Sequence, residues 1–132
     1  MEWHDAPSEP LHDACFESDL ERVKRCFKNG YADDVNKLSL HEHTPLYNAC
    51  RKPNVEIVSF LLSHGASPSL PTGSGITPLE AACDKGDLAI ATLLLRYGAD
   101  PDAHSSDWTP SSSAAKTLSD AIQAASDQGP LP

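Results

Sequence analysis

Apolar residues in this chain return near every third or fourth position over short stretches, and the stretches themselves return. Val55, Val58, Leu61 and Leu62 make one such stripe, and Leu88, Ala91, Leu94 and Leu95 repeat it 33 residues later. Leu20, Val23 and Phe27 are an earlier version. A period near 3.6 predicts amphipathic helices, each with one face to bury. Ahead of two of them stands a second motif, Thr44-Pro45-Leu46-Tyr47-Asn48-Ala49, which returns as Thr77-Pro78-Leu79-Glu80-Ala81-Ala82 after the same 33 residues. Two separated motifs in one register predict helical hairpins that stack and share a continuous core.

The boundaries of each unit are chemically legible. Threonine as N-cap followed by proline at the first helical position predicts short helices from Pro45 to about Lys52 and from Pro78 to about Lys85. Gly86-Asp87 offers a left-handed residue and then an acidic cap for the second helix, and Pro53-Asn54 does a related job. Gly30, Gly65 and Gly98 follow the second helices, where positive φ is expected. Residues 67–76 and 100–108, rich in Pro, Ser, Gly and Asp, read as extended hairpin fingers.

The outer copies are looser. A first unit runs from Pro10-Leu11-His12-Asp13-Ala14 to Gly30, starting 35 residues before the second, and Arg22, Lys24, Arg25 and Lys28 give it the charged exterior of a terminal unit. A fourth begins at Thr109-Pro110, 32 residues after the third, and has no leucine run followed by glycine. It reads as a degenerate cap with a short helix over 118–125 and a mobile tail at 129–132.

The motif pair Thr-Pro-Leu-x-x-Ala and Leu-Leu-x-x-Gly-Ala, held by residues 44–49 with 61–66 and 77–82 with 94–99, resembles the ankyrin-repeat family. The resemblance covers roughly residues 6–126. It implies an all-α solenoid of helix-turn-helix units joined by β-hairpin-like fingers, with repeats at about 6–38, 39–71, 72–104 and 105–126, and tails at 1–5 and 127–132. It also implies fingers that project from the helices, so that fingers and first helices line a concave binding surface.

Composition narrows the function. The formal charge of −9 repels phosphate, which argues against nucleic acid and for a protein partner with a basic surface. The start is acidic and the longest apolar runs fall far short of a membrane span, so no membrane association and a cytoplasmic or nuclear, intracellular setting are expected. Cys15, Cys50 and Cys83 each follow a motif alanine. Equivalent positions on neighbouring helices lie about 8–10 Å apart, beyond the roughly 7 Å reach of a disulfide. They are expected as buried free thiols, with Cys26 alike in the place of Leu61 and Leu94.

Carrying the family's contact positions onto this sequence implies a partner-binding set. The first unit contributes Phe16, with Asp13 and Glu17 beside it. Tyr47, Asn48, Arg51 and Lys52 come from the second, and Glu80, Asp84 and Lys85 from the third. The finger tips add Leu40, His41, His43, Ser74, Ile76, Asp107 and Trp108. Trp108 suits either an interface anchor or a shield over the weak last unit. Tyr47 and Glu80 stand where the family most often has a histidine that ties fingers together. The structural role is favoured for Tyr47, whereas Glu80 is expected to put a carboxylate on or near the concave wall.

Chemistry beyond binding has little support. His12 and His64 fall where the family commonly carries histidine for structure, and His41-Glu42-His43 lacks the four-residue spacing of a helical zinc pair, so no metal is expected. Neither a phosphate-binding glycine loop nor a nucleophile elbow occurs. The expectation is a non-enzymatic, monomeric protein-interaction module without cofactors, serving as adaptor, inhibitor or assembly chaperone. Two alternatives stand beside it: a protein that holds a small molecule in the groove, with His41, Glu42 or Glu80 as acid–base groups, and a self-associating scaffold.

Overall fold

The computed structural model describes residues 9–52, 54–104 and 108–129. Among them, three helical hairpins follow one another: α1 (Pro10–Phe16) with α2 (Leu20–Lys28), α3 (Pro45–Arg51) with α4 (Val55–Ser63), and α5 (Pro78–Asp84) with α6 (Leu88–Arg96). A single helix, α7 (Ser112–Gln128), packs on α5 and α6. The first helices form an inner row in close mutual contact. The second helices form an outer row and touch one another less.

The two rows seal one core. Leu11, Leu46, Ile57, Leu61, Ile90 and Leu94 are fully buried, and Leu61 and Leu94 face the same interior, as their shared register requires. Each such side chain contributes about 1.5–3 kcal/mol by leaving water. Cys15, Cys26, Cys50 and Cys83 are buried and free.

Local chemistry starts and stops each helix. Thr44 Oγ1 accepts from the Tyr47 N–H at 3.0 Å, and Asp19, Asn54 and Asp87 cap the second helices in the same way. The turn at Pro53 lies outside the described residues. In the third unit Gly86 takes φ 71° between the two helices. Its counterpart in the first unit is Ser18, held at φ 58° in the same left-handed conformation.

The fingers close in hairpin-like turns, in keeping with an all-α solenoid. They contain no strand among the described residues. The first opens with a 3₁₀ turn over Ala32–Asn36 and ends in a tight turn in which the Ser39 N–H donates to the His43 carbonyl at 2.8 Å; the second closes through Thr72 N–H to the Ile76 carbonyl at 2.8 Å. Pro, Ser and Gly supply turns there, and too few β-formers flank them to extend a ladder. The tips are linked by the Gly73 N–H, which donates to the Glu42 carbonyl at 2.9 Å.

One expectation is corrected, that of the last helix. It spans 17 residues rather than 118–125, and it is capped by Ser111 instead of Thr109. Neither Gly nor Pro interrupts residues 111–128, so the alanine-rich run propagates until Gly129 at φ 78°. One long helix thus stands where a short one was expected. Of the tails, 1–5 and 130–132 lie outside the described residues.

Candidate interaction surface

Three equivalent positions, His12, Tyr47 and Glu80, show how one place in the unit is used differently. His12 is buried, and its Nε2 lies 2.6 Å from the Lys37 carbonyl, tying α1 to the first finger. Tyr47 is also buried, with its ring centroid 4.7 Å from that of His43. Glu80 is only 2% exposed. Its carboxylate accepts from the Thr77 N–H at 3.2 Å while Thr77 Oγ1 accepts from the Glu80 N–H at 3.2 Å, a reciprocal capping box. Glu80 therefore does not stand on the concave wall; its carboxylate turns back to the Thr77 N–H at the head of α5.

A second equivalent set faces outward. Phe16, Arg51 and Asp84 end the three inner helices and are all exposed. Lys52 Nζ lies 4.7 Å from the Phe16 ring centroid, and the Arg51 guanidinium lies 5.7 Å from that of Tyr47. Asp84 receives the Trp108 indole N–H. Lys85 is exposed beside it.

Between α1, α3 and the first finger lies a groove of about 460 Å³, lined by Asp13, Phe16, His41, His43, Asn48 and Arg51 together with Glu9, His12 and Ser39. Asn48 is 5% exposed; its Nδ2 donates to the His12 carbonyl at 3.3 Å, which leaves Oδ1 without a hydrogen-bond donor. The His43 pKa is lowered, chiefly by burial and then by the Arg51 charge and His41, against an opposing pull from the Asn48 amide. Glu9 was not foreseen, because it precedes the first motif. Its Oε2 accepts from the Leu40 N–H at 2.9 Å, and this positions Leu40, 73% exposed and the most solvent-reachable large apolar side chain among the described residues.

The remaining candidates divide. Ser74 is exposed at the second tip, and Ile76 is half-buried against the core. Trp108 is likewise half-buried, 5.4 Å from the His104 ring. Asp107 lies outside the described residues. His64 is exposed, with its Nδ1 2.8 Å from the Phe60 carbonyl and its ring stacked on that of Phe60 at 4.0 Å. The described His, Cys, Asp and Glu residues form no group of three that could hold a metal.

Three copies of the sequence pattern described as ankyrin repeats match residues 11–123. The chain belongs to the ankyrin-repeat family. Human transient receptor potential cation channel subfamily A member 1 is 33% identical over 60 residues, 46% of this ankyrin-repeat chain and 5% of the relative. The chain thus spans about a twentieth of that relative's length. No helix among the described residues is long and apolar enough to cross a membrane. Ankyrin repeats are general protein-interaction modules.

Proposed function

We propose that this chain binds a protein partner through its inner-helix face and finger tips, as an intracellular adaptor, inhibitor or assembly chaperone without catalysis. The observation that carries the reading is the series Phe16, Arg51 and Asp84. Equivalent buried positions keep cysteine in all three units, Cys15, Cys50 and Cys83, whereas the adjacent exposed positions carry an aromatic, a cation and an anion. The core keeps one small side chain at these stacked sites, and the change of chemistry at the exposed sites beside them suits recognition of a partner. Leu40, His41, Lys52, Ser74, Lys85 and Trp108 extend the surface, while His43, Tyr47, Asn48 and Ile76 support it from behind. The net charge of −9 favours a partner with a basic surface and a monomeric state in solution.

Capture from native lysate tests the proposal by comparing wild type with a Phe16→Ser/Arg51→Glu double variant, both sites being exposed. A prey lost with the double variant supports it. A prey set unchanged by the double variant rejects it.

A second reading is favoured by the groove itself. A volume of about 460 Å³ lined by His41, His43, Asn48 and Arg51 suits a small polar molecule. Asn48→Ala would then abolish the heat of binding of that molecule while leaving protein capture intact.

A further inference from the structure

The outer row carries a second surface of opposite character. Because α2, α4 and α6 touch one another less than the inner helices do, furrows open between them. One of about 440 Å³ lies between α2 and α4 against Phe27, Phe60 and His64; one of about 540 Å³ continues past Leu20, Val55 and Leu93; a third of about 560 Å³ runs from Val55 and Leu93 to Leu88 and α7. They share walls at Phe60, Val55 and Leu93, which join into an apolar track, with Glu21 and Glu56 also on its edges. Val55 and Leu88 remain 43% and 44% exposed on it.

Charge marks one end of the track. Helix α2 holds four of the chain's ten cationic residues and a single acid, in a protein of net charge −9. Arg22 pairs with Glu17, and Lys24 is 3.9 Å from Glu21. Arg25 and Lys28 line the furrow with no ion pair among the described residues. Lys24, Arg25 and Lys28 thus stand over an aromatic floor in which Phe27 meets Phe60 edge-on at 5.0 Å. Such a site pairs anchors for apolar side chains with a rim for anionic ones.

We propose that this outer furrow binds an acidic amphipathic segment of a partner protein. The surface and the charge of its guest differ from those of the inner face. An amphipathic helix would lay its apolar stripe along Phe60, Val55 and Leu93 and set its carboxylates against Lys24, Arg25 and Lys28. Two whole chains, each of net charge −9, repel one another outside the furrow, which disfavours a second copy as its guest.

The test uses the full chain and a labelled peptide of about 16 residues, with Leu and Trp on one helical face and Glu on the other, beside a twin bearing Lys for Glu. The acidic peptide is expected to bind wild type, to bind a Lys24→Glu/Arg25→Glu/Lys28→Glu variant roughly tenfold or more weakly, to bind Val55→Asp weakly, and to lose affinity with salt. All variants are checked for wild-type helicity. Phe16→Ser/Arg51→Glu should bind it as wild type does, which separates this site from the inner face. The proposal is overturned by any of four results: absent binding, equal binding of the lysine twin, insensitivity to the charge reversals, or equal binding of a single-stranded oligonucleotide. Self-association lost on the same reversals would also overturn it, since the guest would then be a second copy.

Discussion

The indole Nε1 of Trp108 donates to both carboxylate oxygens of Asp84, at 3.1 and 3.3 Å. Trp108 is thereby tied to the end of α5, and its half-buried ring packs against the core. Trp108 is thus placed to brace the fold even if it also meets a partner. Replacing Trp108 by Phe keeps most of the apolar area and removes the charged bond. A loss of about 1 kcal/mol is expected, toward the low end for charged hydrogen bonds because the pair is half-solvated. Urea denaturation followed by circular dichroism measures it, and Asp84→Asn should lose less.

Backbone handedness gives a paired prediction at two turns. Gly98 takes φ 102° with open space around its Cα, so Gly98→Val is opposed by conformation alone, at about 1–2 kcal/mol. Ser67→Ala keeps the backbone amide that donates to Asn36 and should be close to neutral. Ser18 reverses the argument: Ser18→Gly should stabilise by about 1 kcal/mol, because it removes a side chain from a left-handed site. Melting temperatures of the three variants, expected in the order Gly98→Val, Ser67→Ala, Ser18→Gly from lowest to highest, provide the check.

His43 ties stability to pH. Burial, aided by Arg51, lowers its folded pKa below the ordinary 6.5, so the unfolded chain takes up the proton first. Its contribution is complete above about pH 6.5 and is lost as the pH falls through the lowered folded value. His43→Gln should therefore lose less thermal stability than wild type between about pH 7.5 and 5.5. Parallel curves for the two proteins would contradict this.

The thiols should be quiet in the folded protein. Burial pushes Cys15 and Cys50 far up and Cys83 up to about 11. For Cys26 burial raises the pKa as well, but Arg22 and Arg25 pull it back. A thiol-reactive chromophore should titrate all four cysteines rapidly only in denaturant. In native buffer the first to react should be Cys26, and Cys26→Ser should abolish that phase.

Much of the fold could be read from spacing because stacking imposes repetition on the buried positions. Leu61 and Leu94, or Thr44 and Thr77, must recur at a fixed interval or the core breaks. The ends escaped this logic. Nothing in the interval distinguishes a failed hairpin from one long α7, which is decided by an uninterrupted run of helix formers. The binding surface was partly legible for a related reason. Phe16, Arg51 and Asp84 follow from register, but Glu80 could not be told from an exposed carboxylate without knowing that its side chain turns back to Thr77. The outer furrow was invisible, since the residues lining it look like an ordinary half-buried helix face until the spread of the outer row is known.

The three fates of the position shared by His12, Tyr47 and Glu80 have a consequence for how the units relate. A chain with its second and third hairpins exchanged would keep the same composition, periodicity and hydropathy. It would also bring Glu80 against His43, whose ring now meets Tyr47, and leave Tyr47 at a head that needs a carboxylate. The hairpins have become specialised parts with a fixed order, and a transposed version should fold poorly despite a faultless pattern.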